Sequence, residues 1–260
     1  TKREALPLAE MFGFGAEWLF TACFTYYIVF CLNQPSTLVS ELNSLSSILQ
    51  LISTAIFIGI VAKKGFAKPF IAALSVVIGA ILCFFGIFVF HIAHITVLVF
   101  GVMVIFGLGT GGVYYIPWTA YTFMADVDEV VTNRRREGVY AGAMTMAGKL
   151  MRASVVFILG QVLAAFGFVS GASTQPQSAV NAIAGVLLVG VGGLAIIGIV
   201  FSCRMKLNHK THKIVIDELD RVHAGGRKED VSEETRSVIE KLTGISYDKC
   251  FGNNNIGYKE

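Results

Sequence analysis

Long apolar stretches separated by short polar connections make up most of residues 1–203. Because a helix of about 20 apolar residues spans the ~30 Å hydrocarbon core of a bilayer, each stretch of about that length is a candidate transmembrane helix. The candidates are residues 12–32, 42–62, 69–90, 95–125, 138–168 and 180–203. The pattern therefore predicts an all-α integral membrane protein, built as a bundle of six transmembrane helices.

Residues 204–260 are polar and predict a cytoplasmic tail with short helices. One helix is expected over Thr211–His223. A second helix is expected to stop at Gly244, and Asp230 and Glu233 have the spacing of a capping box at its start. The sequence leaves open whether this tail packs on the membrane helices or is solvated.

Basic and uncharged connections alternate along the chain. Lysine and arginine occur before the first span, in the second and fourth connections and after the last span, whereas the first, third and fifth connections contain neither. Basic connections are retained on the cytoplasmic side of a membrane. The alternation therefore predicts a multi-pass protein of the cell (inner) membrane, with both ends of this chain in the cytoplasm.

Composition excludes several classes of protein. Hydrophobic residues make up 54% of the chain and charged residues only 15%, whereas a soluble domain has about 25% charged residues. The chain therefore needs a lipid bilayer as its solvent. A net charge of +3 does not indicate nucleic acid as a partner. No nucleophile elbow, P-loop or zincin motif occurs, so neither an enzyme nor a cofactor is predicted.

Two motif-like patterns are interpreted as structural. Residues 107–112 match G-x-G-x-x-G, but they lie inside an apolar run rather than between a strand and a helix. We expect close helix packing there, with a bend at Pro117 as the alternative. His91 and His94, like His209 and His212, are three residues apart. No cysteine or carboxylate beside either pair completes a metal site.

Charged residues in two places are candidates for function. Glu17 lies inside the first span, where a carboxylate is costly and marks a water-filled pathway or a buried partner, unless it reaches the interface. Acidic and basic residues also cluster after the fourth span, and they form either an ordinary loop or a cytoplasmic gate of ion pairs. The cluster consists of Asp126, Asp128, Glu129, Arg134, Arg135, Arg136 and Glu137.

The same cluster resembles a known family. Met124–Glu129, Asn133–Tyr140 and Lys149-Leu150 are similar to the A-D-x-x-[DE] … R-R-x-E-G-[IV] pattern and following lysine of the glycoside–pentoside–hexuronide:cation symporters. This family, to which melibiose permease belongs, is part of the major facilitator superfamily. The resemblance implies that the six spans are helices seven to twelve of a transporter whose N-terminal six-helix half is missing here.

Function and site residues are implied by the same resemblance. A sugar or glycoside would bind between the two halves and be moved by alternating access, coupled to Na⁺ or H⁺. Lys149 and Thr145 match positions near the sugar and cation sites, and Trp118 is offset by one residue from the family's tryptophan. Glu17 and Tyr26 complete the predicted substrate-binding set. Arg152 has no counterpart in the family. The alternatives are a permease subunit of an ATP-driven pump and a channel-type protein.

Overall fold

Six long helices and a helical tail form the chain. The computed structural model describes residues 5–90, 95–204 and 208–252. Within them, six helices are long and apolar enough to cross a membrane, which confirms the predicted fold class. They are α1 (Ala5–Tyr26, continued by the π-helical turn Tyr27–Cys31), α2 (Ser36–Lys64), α3 (Ala67–Phe90), α4 (Ile95–Thr132), α5 (Glu137–Ala165) and α6 (Gln177–Gly185 and Gly192–Ser202, joined by the π-helical Val186–Val191).

The fourth helix differs most from its expected span. It ends at Thr132, seven residues beyond the predicted end at Ala125, so the carboxylates that follow Ala125 belong to the helix rather than to a loop. The helix also continues through Pro117, which does not end it. This length carries the end of α4 past the other spans at the end of the bundle where the α4–α5 connection lies, here called the charged end.

Small residues bring α4 close to α2 and α3. A Cβ atom added at Gly111 would lie 2.7 Å from the Cβ of Ser53, and one at Gly112 would lie 2.7 Å from the Cβ of Ala73. These distances are shorter than any normal contact, so only glycine fits at either position. The run 107–112 therefore serves helix packing, as small residues commonly do in membranes, and the expectation of close packing is confirmed.

Replacing Gly111 by alanine should destabilise the bundle by about 1–3 kcal/mol, the usual cost of overpacking. Gly101 provides a matched control on the same helix because no atom lies within 4 Å of a Cβ built there. We expect Gly101→Ala to leave the thermal unfolding temperature of the detergent-solubilised protein unchanged or slightly raised, and Gly111→Ala to lower it. Equal unfolding temperatures for the two variants would contradict this account of the packing.

Helices α1 and α4 are central, and α2 and α5 are peripheral. Half of the most apolar stretch of α1 and of α4 is buried (50%), against 17% for α2 and for α5. An aromatic cluster joins α1 to α3 and α4: the ring of Phe20 lies 3.8 Å from that of Phe106 and 5.9 Å from that of Phe84. Helices α1 and α4 therefore form the frame against which α5 is placed.

The tail docks on the charged end. Its helices α7 (His209–His223) and α8 (Glu233–Thr243) both pack against α4. The backbone N–H groups of Phe251 and Gly252 donate to the carbonyls of Val130 and Val131, at 2.7 and 3.2 Å. The last turn of α4 therefore gains hydrogen-bond partners that a helix end would otherwise lack. The tail is not simply solvated.

Capping residues define the tail helices. The Asn208 side chain accepts from the backbone N–H of Thr211 in a capping box at the start of α7. For α8 the predicted cap at Asp230 is wrong: Ser232 is the N-cap and accepts from the N–H of Thr235. Asp230 pairs instead with Arg227. Gly244, with φ +70°, ends α8 as predicted.

Candidate functional site

A cavity of about 270 Å³ lies between α1, α4 and α5. Its size is near the lower end of the ~300–1,000 Å³ typical of ligand pockets. The wall combines acidic, basic and aromatic side chains. The lining residues are Pro7, Glu10, Met11, Phe14, Trp18, Tyr114, Trp118, Tyr121, Met144, Thr145, Ala147, Gly148, Lys149 and Arg152. We refer to it as the α1–α4–α5 cavity.

Helix α5 supplies the basic side of the cavity. Lys149 lies twelve residues from the start of α5, which corresponds to about 18 Å along the axis at 1.5 Å per residue. That distance is about half the thickness of a ~30 Å hydrocarbon core. Thr145 lies one turn earlier and Arg152 about one turn later, and all three line the cavity. The structure therefore places Lys149 and Thr145 in the wall of one cavity.

Glu17 has a buried partner on α4. The Tyr114 hydroxyl donates to its carboxylate at 2.5 Å, and the Thr21 hydroxyl donates at 3.3 Å. Arg152 also interacts with Glu17 electrostatically. Glu17 therefore lies directly behind the cavity wall, where it positions Tyr114.

Glu10 was not predicted as a site residue. Its side chain lines the cavity and is only 2% exposed, and neither carboxylate oxygen has a hydrogen-bond partner among the described residues. The Tyr121 hydroxyl interacts with this carboxylate, although no hydrogen bond of normal length and angle joins them. The sequence contained a signal: Glu10 precedes Glu17 by seven residues, two helical turns, so both lie on one face of α1.

Aromatic rings cover the remaining wall. Trp118 lines the cavity with its side chain 51% exposed, so it presents an accessible flat surface. Trp18 approaches α5 closely because Gly148 has no side chain: a Cβ there would lie 3.1 Å from the indole. Tyr26 lies elsewhere. Its ring packs against those of Phe30 and Phe168 near the end of α1, outside this cavity.

Polar residues also form stripes on the open faces of α1 and α2. Thr21 and Thr25 are exposed on α1, one and two turns beyond Glu17. Helix α2 carries Asn43, Ser47, Gln50 and Thr54, all exposed or partly exposed. Their spacing of three or four residues places them on one side of the helix. This spacing of polar residues is visible in the sequence, within a span that is otherwise apolar.

The predicted ion-pair cluster forms in part. Arg136 binds Asp128 through two nitrogen atoms at 2.8–2.9 Å, and Arg135 binds Glu137 at 2.6 Å. Arg134 is exposed. Asp126 and Glu129 instead face the tail helix α7. Asp126 lies 2.6 Å from His212, and Glu129 lies 3.5 Å from His223.

The two histidines reach α4 because α7 docks beside it. His212 stacks on Phe123 with ring centroids 3.7 Å apart, which holds its imidazole against Asp126. No local pattern in the sequence indicates these contacts, because each joins residues more than 80 positions apart. Asp126 and Glu129 therefore bind the tail to α4. The other two carboxylates, Asp128 and Glu137, pair with arginines of the α4–α5 connection.

A second network fixes the tail internally. Arg221 donates to both oxygens of Glu218 at 2.8 and 2.9 Å, and the Tyr247 hydroxyl donates to the same carboxylate. Burial alone would raise the pKa of Glu218, but these hydrogen bonds outweigh it, so the pKa lies below its usual value. Glu218 therefore stays ionised at neutral pH and ties α7 to the segment that follows α8.

A groove adjoins the cavity on the side of the charged end. It has a volume of about 540 Å³ and shares Trp118, Tyr121 and Met144 with the α1–α4–α5 cavity. At its other end it is lined by Asp126 and His212, among others. The shared residues form the boundary between the α1–α4–α5 cavity and the groove that reaches the docked tail.

Six helices long and apolar enough to span a membrane, with a polar cavity between them, define a polytopic membrane protein. Residues 5–209 match the family model described as MFS/sugar transport protein. The chain therefore belongs to this family, which consists of transporters rather than enzymes. The match confirms the resemblance to sugar symporters of the major facilitator superfamily that residues 124–150 indicated.

One curated relative is similar to part of the chain. It is named "Uncharacterized symporter sll1374", from Synechocystis sp., and is 34% identical over 70 residues. That segment makes up 27% of this chain and 13% of the relative. The chain thus matches a small part of the relative's length.

Proposed function

We propose that this chain supplies one six-helix half of a secondary active transporter that moves a sugar or glycoside together with Na⁺ or H⁺ by alternating access. The observation that carries the proposal is the α1–α4–α5 cavity. It combines Lys149 and Arg152 with Glu10 and two indole rings at the depth where transporters of this general design hold their substrates. Membership in a sugar transport family favours a sugar over other solutes.

The chemistry of the lining suits a sugar. A sugar ring has an apolar face, which packs on an aromatic surface such as Trp118, and a rim of hydroxyl groups that need hydrogen-bond partners. Lys149 and Arg152 can donate to those hydroxyls, and Thr145 can donate or accept. Hydrogen bonds to charged groups are the strongest of these, each contributing about 1.5–3 kcal/mol. Lys149 is therefore expected to be a principal binding residue.

A second six-helix half is expected to cover the open side of the cavity. Polar side chains at mid-membrane depth are costly when they face lipid. Lys149 and Thr145 are exposed on α5, as are Asn43 and Ser47 on α2. These faces are suited to an aqueous path between two halves, while the apolar surfaces of the other spans contact the bilayer. The N-terminal half predicted from the sequence would supply that cover and the remaining site residues.

The proposal is tested by transport in vesicles that contain the full-length transporter. We expect saturable uptake of at least one hexose, pentoside or disaccharide from a panel of labelled sugars. An inward gradient of either Na⁺ or H⁺ should raise it, and an ionophore that collapses the gradient should remove the increase. Uptake that neither saturates nor responds to either gradient for every sugar tested would overturn the proposal.

The charged end is proposed to face the cytoplasm, because basic connections are retained on that side. A cysteine introduced at Lys64, at the charged end, should be labelled by an impermeant thiol reagent only from the cytoplasmic side. A cysteine at Ser173, in the α5–α6 connection, should be labelled only from outside. Labelling of both positions from the same side would contradict the six-span topology.

The ion pairs at the charged end are proposed to act as a cytoplasmic gate. Asp126 lies in the groove between the cavity and the charged end and pairs with His212, so opening this path alters that contact. Asp126→Lys should therefore change the maximal transport rate several-fold and the apparent sugar affinity little, because a gate shifts populations of states. His212→Asp in the same protein should recover part of the rate. Lost affinity at a normal maximal rate would identify Asp126 as a sugar ligand instead.

A further inference from the structure

The buried carboxylate of Glu10 is the least explained group in the membrane bundle. The residue is 2% exposed, and both of its oxygens are buried without a hydrogen bond among the described residues. A buried ionised carboxylate without a partner is strongly unfavourable. The side chain therefore requires a proton or a ligand, and it lines a cavity through which one can arrive.

Glu10 is one member of a repeated pair. Glu10 and Glu17 are seven residues apart on α1, and their partners Tyr121 and Tyr114 are seven residues apart on α4. Because the two helices run antiparallel, this spacing sets two carboxylate–tyrosine pairs about 10 Å apart along the axis at 1.5 Å per residue. The deeper pair, Glu17–Tyr114, is hydrogen-bonded at 2.5 Å. The pair nearer the charged end, Glu10–Tyr121, is not.

The side chains around Glu10 favour a proton over a metal cation as its ligand. The titratable groups in the cavity wall besides Glu10 are Tyr114 and Tyr121 on α4 and Lys149 and Arg152 on α5. Tyr140 on α5 interacts with Tyr121. Among the described residues, α3 and α6 contribute none to the lining. A metal cation needs several oxygen ligands, and within the described chain no three His, Cys, Asp or Glu side chains converge.

A path for protons leads from Glu10 to the charged end. Tyr121 borders both the cavity and the groove that reaches Asp126 and His212. A proton that leaves Glu10 can therefore pass to water in the groove without crossing the aromatic cluster in the centre of the bundle. The position of Glu10, closer to the charged end than Glu17, suits release on that side.

We propose that Glu10 is a proton-binding site of the transport cycle, through which uptake of the sugar is coupled to H⁺. The proton binds a carboxylate oxygen and gives a neutral carboxylic acid, which can donate a hydrogen bond to a sugar hydroxyl in the cavity. When the groove opens, the acid returns its proton to water at the charged end and becomes a carboxylate again. This inference rests on the proposed transport function and names both the coupling ion and its residue.

The transport test measures, for each variant, how strongly a proton gradient raises the uptake of sugar. In vesicles that contain the full-length transporter, uptake is measured with and without an inward proton gradient, and the ratio of the two rates is the readout. We expect a ratio well above one for the unmodified protein and for Glu41→Gln, whose carboxylate is exposed on α2. The ratio should fall to about one in Glu10→Gln, which cannot bind the proton, and remain above one in Glu10→Asp.

Two transport results would overturn the inference. One is sugar uptake by the unmodified protein that rises with a Na⁺ gradient but not with a proton gradient. That result would leave the proposed sugar transport intact. The other is an undiminished proton response in Glu10→Gln. If no protein takes up any sugar, the transport function itself fails, and the proton site is then decided by spectroscopy.

Infrared difference spectroscopy of the purified protein during a pH titration reports the carboxylic acid directly. We expect a carbonyl band of a buried carboxylic acid that is present in the unmodified protein and in Glu41→Gln and is lost in Glu10→Gln. Should Glu10→Gln not fold, a shift of that band in Glu10→Asp identifies the residue. A spectrum in which no titrating band responds to either Glu10 variant would rule out the site.

Discussion

Replacement of Lys149 by alanine is expected to abolish gradient-driven accumulation of sugar while leaving insertion into the membrane intact. Lys149 lies twelve residues into α5, a position that we propose to be at mid-membrane depth, and forms no ion pair among the described residues. An ammonium group at that depth needs a carboxylate or a hydroxyl as partner. A substrate in the α1–α4–α5 cavity, or a carboxylate of the other half, can provide it.

The size of this effect follows from the strength of the lost contact. A hydrogen bond to a charged group contributes about 1.5–3 kcal/mol, so sugar affinity should fall by about tenfold or more, and gradient-driven accumulation should be lost. Lys63→Ala is the matched control, because Lys63 is exposed in the last turn of α2. Arg152→Ala is unsuitable as a control, since Arg152 lines the same cavity and interacts with Glu17. Near-normal accumulation in Lys149→Ala would remove Lys149 from the site.

Replacement of Glu17 by glutamine is expected to weaken sugar binding by about tenfold. The effect acts through Tyr114, whose hydroxyl donates to the Glu17 carboxylate at 2.5 Å. Tyr114→Phe should have a similar effect, because both variants remove the charge-assisted hydrogen bond from the tyrosine hydroxyl to the carboxylate. The double variant should then bind sugar about as weakly as either single one. Binding is measured by titration of the purified full-length transporter with the transported sugar.

The matched control for this pair is Thr25→Val, since Thr25 lies on the same open face of α1 two turns beyond Glu17 but outside the cavity lining. Its sugar affinity should remain close to that of the unmodified protein. Independent, additive losses in Glu17→Gln and Tyr114→Phe would show that the two side chains do not act as a unit. That result would contradict the positioning role given to Glu17.

Much of the fold could be predicted from the sequence, because a helix needs about 20 apolar residues to cross the hydrocarbon core of a bilayer. Each of the six expected spans corresponds to a helix. The end of α4 was misplaced because Asp126 and Asp128 resemble the start of a loop, whereas in the structure His212 and Arg136 pair with them. The docking of the tail depends on contacts between distant residues, and no local pattern indicates those.

The candidate site was predicted less completely. Lys149, Thr145 and Trp118 came from resemblance to a family, and they lie together in the cavity. Tyr26 came from the same source and lies outside it. Glu10 was missed because its position at the start of a span is typical of a residue near the membrane surface. Its burial depends on α4 and α5, which are more than 100 residues away in the chain.

The most direct test of the central claim is whether sugar occupies the α1–α4–α5 cavity. Thr145→Cys is introduced into the full-length transporter after the exposed Cys83 and Cys203 are replaced by serine, and the rate of its reaction with a thiol reagent is measured. The account predicts that the transported sugar slows this reaction in a concentration-dependent manner, while a cysteine at Lys64 reacts at the same rate with or without sugar. A rate at Thr145→Cys that saturating sugar leaves unchanged would contradict the claim that this cavity is the sugar site.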